Sequence, residues 1–281
     1  MSDVTVVIPA RNEIYLQKTI DDIFNKARAD TEVVCILDGY WPNPPLKDNP
    51  KVRLIHRGVS QGLRDGINSA VAISDSKYIL KCDSHCMFDE GFDVKLMADC
   101  EPNWVSVPVR KRLLPEAWEL EEVKGRPDVA YMYLSYPYNA DGSLCGLHGK
   151  IWNTLNVRED LKATKIDDLM TAQGSAYFMH RDYFYELELM DKETYSNFWD
   201  EFLEVGMKCW LSGGRVVVNK NTWYAHWHKR NRGYNLPNEV SHSDIWLQPN
   251  AWHKQTLSIQ WLLKRFADRF GDVGWPKEFY E

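Results

Sequence analysis

The stretch Tyr78-Ile79-Leu80-Lys81-Cys82-Asp83-Ser84-His85-Cys86 decides how the chain is read. Its first five residues read as a strand that runs directly into an acidic residue. The segments before it alternate in the same way. Leu63, Ile67, Ala70 and Val71 recur at helical spacing, and Ser74-Asp75-Ser76 closes that helix. Val52–His56 reads as a further strand, and Val33–Leu37 as a buried one that ends at Asp38-Gly39. Leu16, Ile20, Ile23, Phe24 and Ala27 mark the first helix. Val4–Ile8, an apolar run ending in Pro9, is the first strand. Strands interleaved with helices predict an α/β protein with a mostly parallel sheet flanked by helices. Ligands in such sheets gather beyond the carboxyl ends of the strands, where Asp38 and Asp83 both fall.

Beyond Cys86 the pattern is less regular. Trp104–Val109 and Tyr131–Tyr138 read as strands, Asp160–Asp168 as a charged connection, and Ser175–Met179 as a short strand with a helix from Asp182. Glu201–Leu211 is a helix with Leu203, Met207 and Trp210 on one face and Gly213-Gly214 as its stop. Val216–Val218 is a last short strand. An amphipathic helix carrying Ile259, Leu262, Leu263, Phe266 and Phe270 lies near the end. Many of the 12 tryptophans fall after Asn197, so the C-terminal third differs in character from the first.

With 281 residues the chain has room for one large α/β domain or two small ones. No apolar run reaches the roughly 18 residues that a membrane span needs. The opening MSDVTVVIPARNE has no basic leader or cleavage site, so a cytoplasmic location is expected, in a host cytoplasm if the gene is carried by a phage. The six cysteines are scattered and read as reduced core residues. A net charge of −6 weighs against a general nucleic-acid coat protein, although local basic surface decides such binding.

Asp83-Ser84-His85 carries the chemistry. In a turn at a strand end, residues i and i+2 can aim at one point, and a carboxylate with an imidazole suits Mn²⁺ (or Mg²⁺). A nucleotide diphosphate needs such an ion to offset its charge. The plainer reading is an Asp-Ser turn followed by a surface histidine. A zinc site from Cys82, His85 and Cys86 is a rival, disfavoured because Cys82 should point away from Asp83 into the sheet. Asp200 and Glu201, at a helix start, are candidate catalytic carboxylates, with helix capping as the alternative. His148, between Gly146 and Gly149, belongs either to a lid or to a simple turn.

Several motifs together resemble known enzymes. Asp83-Ser84-His85-Cys86 after its strand is similar to the metal motif of polypeptide N-acetylgalactosaminyltransferases. Val4-Thr5-Val6-Val7-Ile8-Pro9-Ala10-Arg11-Asn12-Glu13 looks like the start of family 2 glycosyltransferases, and Ile36-Leu37-Asp38-Gly39 resembles their second-strand aspartate. Phe198-Trp199-Asp200-Glu201-Phe202-Leu203-Glu204, continuing through Lys208 and Trp210 to Gly213-Gly214, is similar to a further galactosaminyl motif. So is Ala172–Met179 with Arg181-Asp182-Tyr183-Phe184. The matches run in order from residue 4 to 228. They imply the GT-A nucleotide-sugar fold, with a UDP-sugar donor and Mn²⁺ or Mg²⁺ held by Asp83, His85 and a later histidine. His226 falls in the right place, with His228 as the fallback. The resemblance also implies donor contacts from Pro9, Arg11, Glu13, Asp38, Gly62, Arg64, Ser84, Lys229 and Arg232. The arginines that follow Gly-Leu in the galactosaminyl enzymes do not align here, and only Arg64 is near.

The implied organisation is a glycosyltransferase unit over 1–228, with a nucleotide-sugar half (1–100) and an acceptor half (101–228). A basic, Trp-rich extension over 229–281 packs on the same unit. Without the anchor and lectin domain of the galactosaminyl enzymes, a cytosolic acceptor is expected. Trp223–Tyr234 interleaves aromatics with Lys229, Arg230 and Arg232 and is similar to the tails of small phage-type glycosyltransferases. DNA carrying a 5-hydroxymethylated base, such as 5-hydroxymethylcytosine, is the acceptor expected. A protein hydroxyl and a saccharide or lipid-linked glycan are the rivals. A non-catalytic nucleotide-sugar-binding module is the alternative of another class.

Overall fold

The structure, a computed structural model, describes residues 2–195, 200–229, 243–271 and 273–281. Its first strand, β1 (Val4–Ala10), is buried along nearly its whole length. Side chains alternate across a strand. Val4, Val6 and Ile8 therefore enter one core and Val7 enters another. β2 (Thr31–Asp38) repeats the pattern, with Val33, Cys35 and Leu37 in the first core and Val34 and Ile36 in the second. A strand apolar on both faces needs helices on both faces. α1 (Leu16–Lys26) covers one side with Leu16, Ile20 and Ile23. Each such buried side chain contributes about 1.5–3 kcal/mol.

The chain continues through β3 (Val52–Arg57), α2 (Leu63–Ile73), β4 (Tyr78–Cys82), β5 (Cys86–Phe88), α3 (Phe92–Ala98) and β6 (Trp104–Leu114). Short elements follow: β7 (Glu119–Leu120), β8 (Met132–Leu134), β9 (Gly149–Ile151), α4 (Asn153–Asn156), α5 (Glu159–Lys162) and β10 (Ile166–Asp168). β11 (Ala176–His180), α6 (Arg181–Glu186), α7 (Glu201–Leu211), β12 (Arg215–His226) and α8 (Ile259–Phe266) complete it. The main sheet has the order β10-β12-β6-β11-β4-β1-β2-β3. β3, β2, β1 and β4 are parallel, as are β6 and β12, and β11 lies antiparallel between the two blocks. This is the mixed α/β, GT-A-like sheet that the motifs imply.

Two strand expectations are corrected. Tyr131–Tyr138 shortens to β8, which pairs with β9. Pro137 has no N–H to donate, and its carbonyl instead takes the N–H of Cys145 and Gly146 in a turn. Val216–Val218 is only the first part of β12, a strand of 12 residues. Its register against β6 shifts between Asn219 and Trp223, a bulge that hides a long strand behind Asn219-Lys220-Asn221. Beyond the bulge β12 pairs with β5, placing His226 opposite Cys86. The connection 160–168 also contains α5 and β10.

The C-terminal segment joins the same core as α7. Trp261 and Phe266 pack on Trp210, and Trp275 donates its indole N–H to the Leu134 carbonyl. Among the described residues no helix is long and apolar enough to cross a membrane.

Candidate metal and donor site

β4 ends at Cys82, and the turn Asp83-Ser84-His85 joins it to β5. Because β5 pairs with the end of β12, the sheet itself carries His226 to this turn. His226 Nε2 lies 3.1 Å from His85 Nε2 and 3.1 Å from Asp83 Oδ2, and His85 Nε2 is 4.0 Å from that oxygen. The three ligand atoms fall within 4.8 Å of one another.

The protonation pattern suits a cation. His85 Nδ1 is 2.8 Å from Glu13 Oε2. A carboxylate only accepts, so Nδ1 carries the proton and Nε2 presents its lone pair. Burial pushes the pKa of His226 down to about 3, against the opposing pull of Asp83, and keeps this imidazole neutral. Loss of solvent alone would raise Asp83, but Lys81 and His226 outweigh it and hold the carboxylate well below its usual range. A proton on His226 Nε2 would be donated to Asp83 Oδ2, and a bound cation would displace it to meet the two imidazole nitrogens and the carboxylate oxygen at one point. The residues therefore fit a divalent ion. Cys82 and Cys86 take no part in the group. Both thiols are buried in the core, and burial raises them well above the ordinary range.

A cavity of about 400 Å³ opens beside this group. Pro9, Arg11 and Ser84 line it on the β1 side, Asp200 and Glu201 on the α7 side, and Trp227, His228 and Lys229 after β12. Glu201 is buried, and burial raises its carboxyl despite the nearby Lys81. Asp200 occupies the N-cap position of α7 with φ 64°, yet its side chain makes no capping hydrogen bond.

Other expected contacts lie elsewhere. Arg64 is fully buried and pairs with Glu204 of α7, with Tyr195 stacked at 4.8 Å. It is off the cavity wall, which corrects its expected place beside the base. The helical turn after Gly62 points it into the core. Asp38 and Gly62 belong to the architecture of the loop. Asp38 accepts from Ser60 Oγ at 2.6 Å and from the N–H groups of Gln61 and Gly62. Gly39 permits that closure: its φ is 77°, and a Cβ would come within 2.8 Å of the Ser60 nitrogen. Glu13 is committed to His85, Ser84 and Lys229, so it braces the metal group. Lys229 lines the cavity while paired with Glu13. Arg232, like Arg230 and Trp199, lies outside the described residues. His228 is on the cavity wall but outside the three-residue group. His148 is exposed and bonds the Cys145 carbonyl, in keeping with a simple turn.

The glycosyl transferase family 2 model matches residues 5–186. The chain belongs to that family. Its fold is the mixed α/β, GT-A-like one. Among solved structures it is similar to a crystal structure of GalNAc-T7 with UDP, GalNAc and Mn²⁺. The TM-score is 0.72 and the identity 16%, over 98% of this chain and 59% of that one. S. aureus TarS 1–349 matches with a TM-score of 0.49 and 13% identity, over 80% of this chain and 60% of that one. No curated protein matches the chain.

Proposed function

We propose that this family 2 enzyme binds a UDP-sugar through a divalent cation held by Asp83, His85 and His226. The sugar is then transferred to the hydroxyl of a 5-hydroxymethylated base in DNA. The observation that carries the donor half is the convergence of three possible ligand atoms at the carboxyl end of β4, next to a cavity. The GalNAc-T7 structure with UDP and Mn²⁺ has the same fold and supports the reading. Two imidazoles in the donor set favour Mn²⁺ over Mg²⁺, which prefers oxygen ligands. When bound, such an ion offsets the diphosphate charge and stabilises the leaving group.

The chain's own residues do the rest. Glu13 keeps the His85 proton on Nδ1, so that Nε2 faces the cavity side. Arg11 adds positive charge to the wall where a diphosphate would lie. Glu201 and Asp200 face the same space and are assigned to orienting, or taking a proton from, the acceptor hydroxyl. The donor occupies the 1–100 half and the acceptor the 101–228 half, with the described residues of the C-terminal segment, 243–271 and 273–281, packed on that unit.

For the acceptor, support comes from residues beside His226. Trp227 offers an aromatic surface on the wall, and Arg112 sits in register with His226 across β6 and β12. Arg110 and Arg112 are close enough to His228 to lower its pKa, after burial as the larger cause. The deciding experiment incubates a nucleotide-sugar panel with hydroxymethylated DNA, plain DNA, peptides and glycans, read by mass spectrometry. Transfer is expected on hydroxymethylated DNA alone. It should weaken with salt, by a log–log slope of about 0.9 per neutralised phosphate. Turnover confined to peptide or glycan would overturn the acceptor assignment.

A further inference from the structure

Lys81 is the last residue but one of β4, between Leu80 and Cys82, and its side chain is 1% exposed. A buried ammonium is costly unless its charge and its three N–H groups are matched. Here they are. Nζ lies 2.9 Å from Asp83 Oδ1, and 3.1 and 3.2 Å from the two oxygens of Glu201. It also donates to the Gly174 carbonyl. Gly174 leaves room for this arrangement, since a Cβ there would come to 3.3 Å of Glu201 Oε2. Lys81 is not on the cavity wall, so it acts through its partners.

Those partners are the metal-side carboxylate and the acceptor-side carboxylate. Asp83 gives Oδ1 to Lys81 and turns Oδ2 to His226, so its two oxygens have separate tasks. Glu201 comes from a different element, the start of α7, and meets the same ammonium. We infer that Lys81 is a positioning residue for transfer, fixing Asp83 so that only Oδ2 faces the two histidines and holding Glu201 against the cavity in one shared frame. The inference rests on the metal reading above.

Simple electrostatics gives the opposite sign, which makes the idea testable. A cation beside a cation site repels the ion, so deleting it should tighten binding if charge were its whole effect. Lys81→Met alone would strand a buried carboxylate and endanger the fold. The comparison is therefore Lys81→Met/Glu201→Gln against Glu201→Gln, in which the buried Glu201 no longer carries a charge and Asp83, whose side chain is 30% exposed, keeps solvent and His226 as partners. Mn²⁺ binding is measured by titration calorimetry and folding by circular dichroism. The double variant is expected to stay folded and bind Mn²⁺ at least about tenfold more weakly than Glu201→Gln, the lower range seen when a residue supporting a metal ligand is removed. Equal or tighter binding in the double variant would overturn the positioning role. Failure of wild-type protein to bind Mn²⁺ would overturn the metal reading itself and this inference with it.

Discussion

Glu13→Gln tests whether the metal group is held by its support as well as by its ligands. The Glu13 side chain is 0% exposed, and four donors converge on its two oxygens. His85 Nδ1 (2.8 Å), Ser84 Oγ (3.3 Å) and Lys229 approach Oε2, while the Tyr15 N–H (2.9 Å) approaches Oε1. Burial would raise this carboxyl, but His85 and Lys229 outweigh it and keep it ionised. Glutamine has the same shape but only one accepting oxygen, so whichever way the amide turns, its NH₂ faces at least one donor. If it faces His85, the tautomer that leaves Nε2 free loses its support. Removing a carboxylate behind a metal-binding histidine typically costs 10–100-fold in metal affinity. That is about 1.4–2.7 kcal/mol, at about 1.4 kcal/mol per tenfold. Titration calorimetry with Mn²⁺ reads the effect, with Asp83→Ala as the zero. A Glu13→Gln protein that binds Mn²⁺ as tightly as wild type would refute the argument.

Three further outcomes are expected. Asp83→Ala and His85→Ala should lose both Mn²⁺ binding and transfer while keeping their circular dichroism, since neither side chain is in an apolar core; full activity in chelator would sink the metal reading. Glu201→Gln should lower kcat by about 10²-fold or more with donor KM little changed, if the carboxylate orients or takes a proton. A loss of stability with intact turnover would make it a structural residue. Arg269→Met should destabilise the fold by about 1–3 kcal/mol, because Arg269 makes a hydrogen bond to each Asp167 oxygen (2.9 and 3.1 Å) and fastens the C-terminal segment to β10. Burial alone would raise Asp167, but Arg269 and Tyr131 outweigh it and lower its pKa. A depressed carboxyl contributes stability above its unfolded pKa and loses it as pH falls through the folded one. The gap between wild type and Arg269→Met in urea melts should therefore shrink below about pH 4. A gap independent of pH would show that the pair is not its source.

Residues 4–82 were legible because parallel strands buried on both faces read as short continuous apolar runs, whereas β5 and α3 were not read. β4 came out with the bounds its sequence suggests, and β1 and β2 ran only a residue or two longer at their ends. β12 was not legible past Val218, because three polar residues at a bulge look like a loop to any reading by alternation. That misreading hid the reason His226 arrives at Asp83: it stands at the end of a strand that pairs with β5, and does not reach in from a loop.

The metal group and Arg64 show what motif spacing does and does not carry. Asp83 and His85 share one turn and His226 lies 141 residues beyond His85, and the family resemblance, not the strand reading, was what named them together. Arg64 follows Gly62 closely in sequence, but it sits inside α2, where a helical turn decides its direction. The helix sends it to Glu204, and that pair joins the donor-side helix to the one bearing Glu201. Lys81 was visible in the first nine residues quoted, and nothing in the strand pattern explained it. Its partners are two residues and 120 residues away. A charged residue inside a buried strand therefore signals that acceptors exist, since burial without them would be prohibitive, while only the packing of α7 on the sheet reveals which they are. The same reasoning explains why Glu13 was read as a donor contact. The resemblance of the opening segment to family 2 glycosyltransferases marked it as functional, but most of the donors that surround it, and hence its task, come from beyond the ends of β4 and β12.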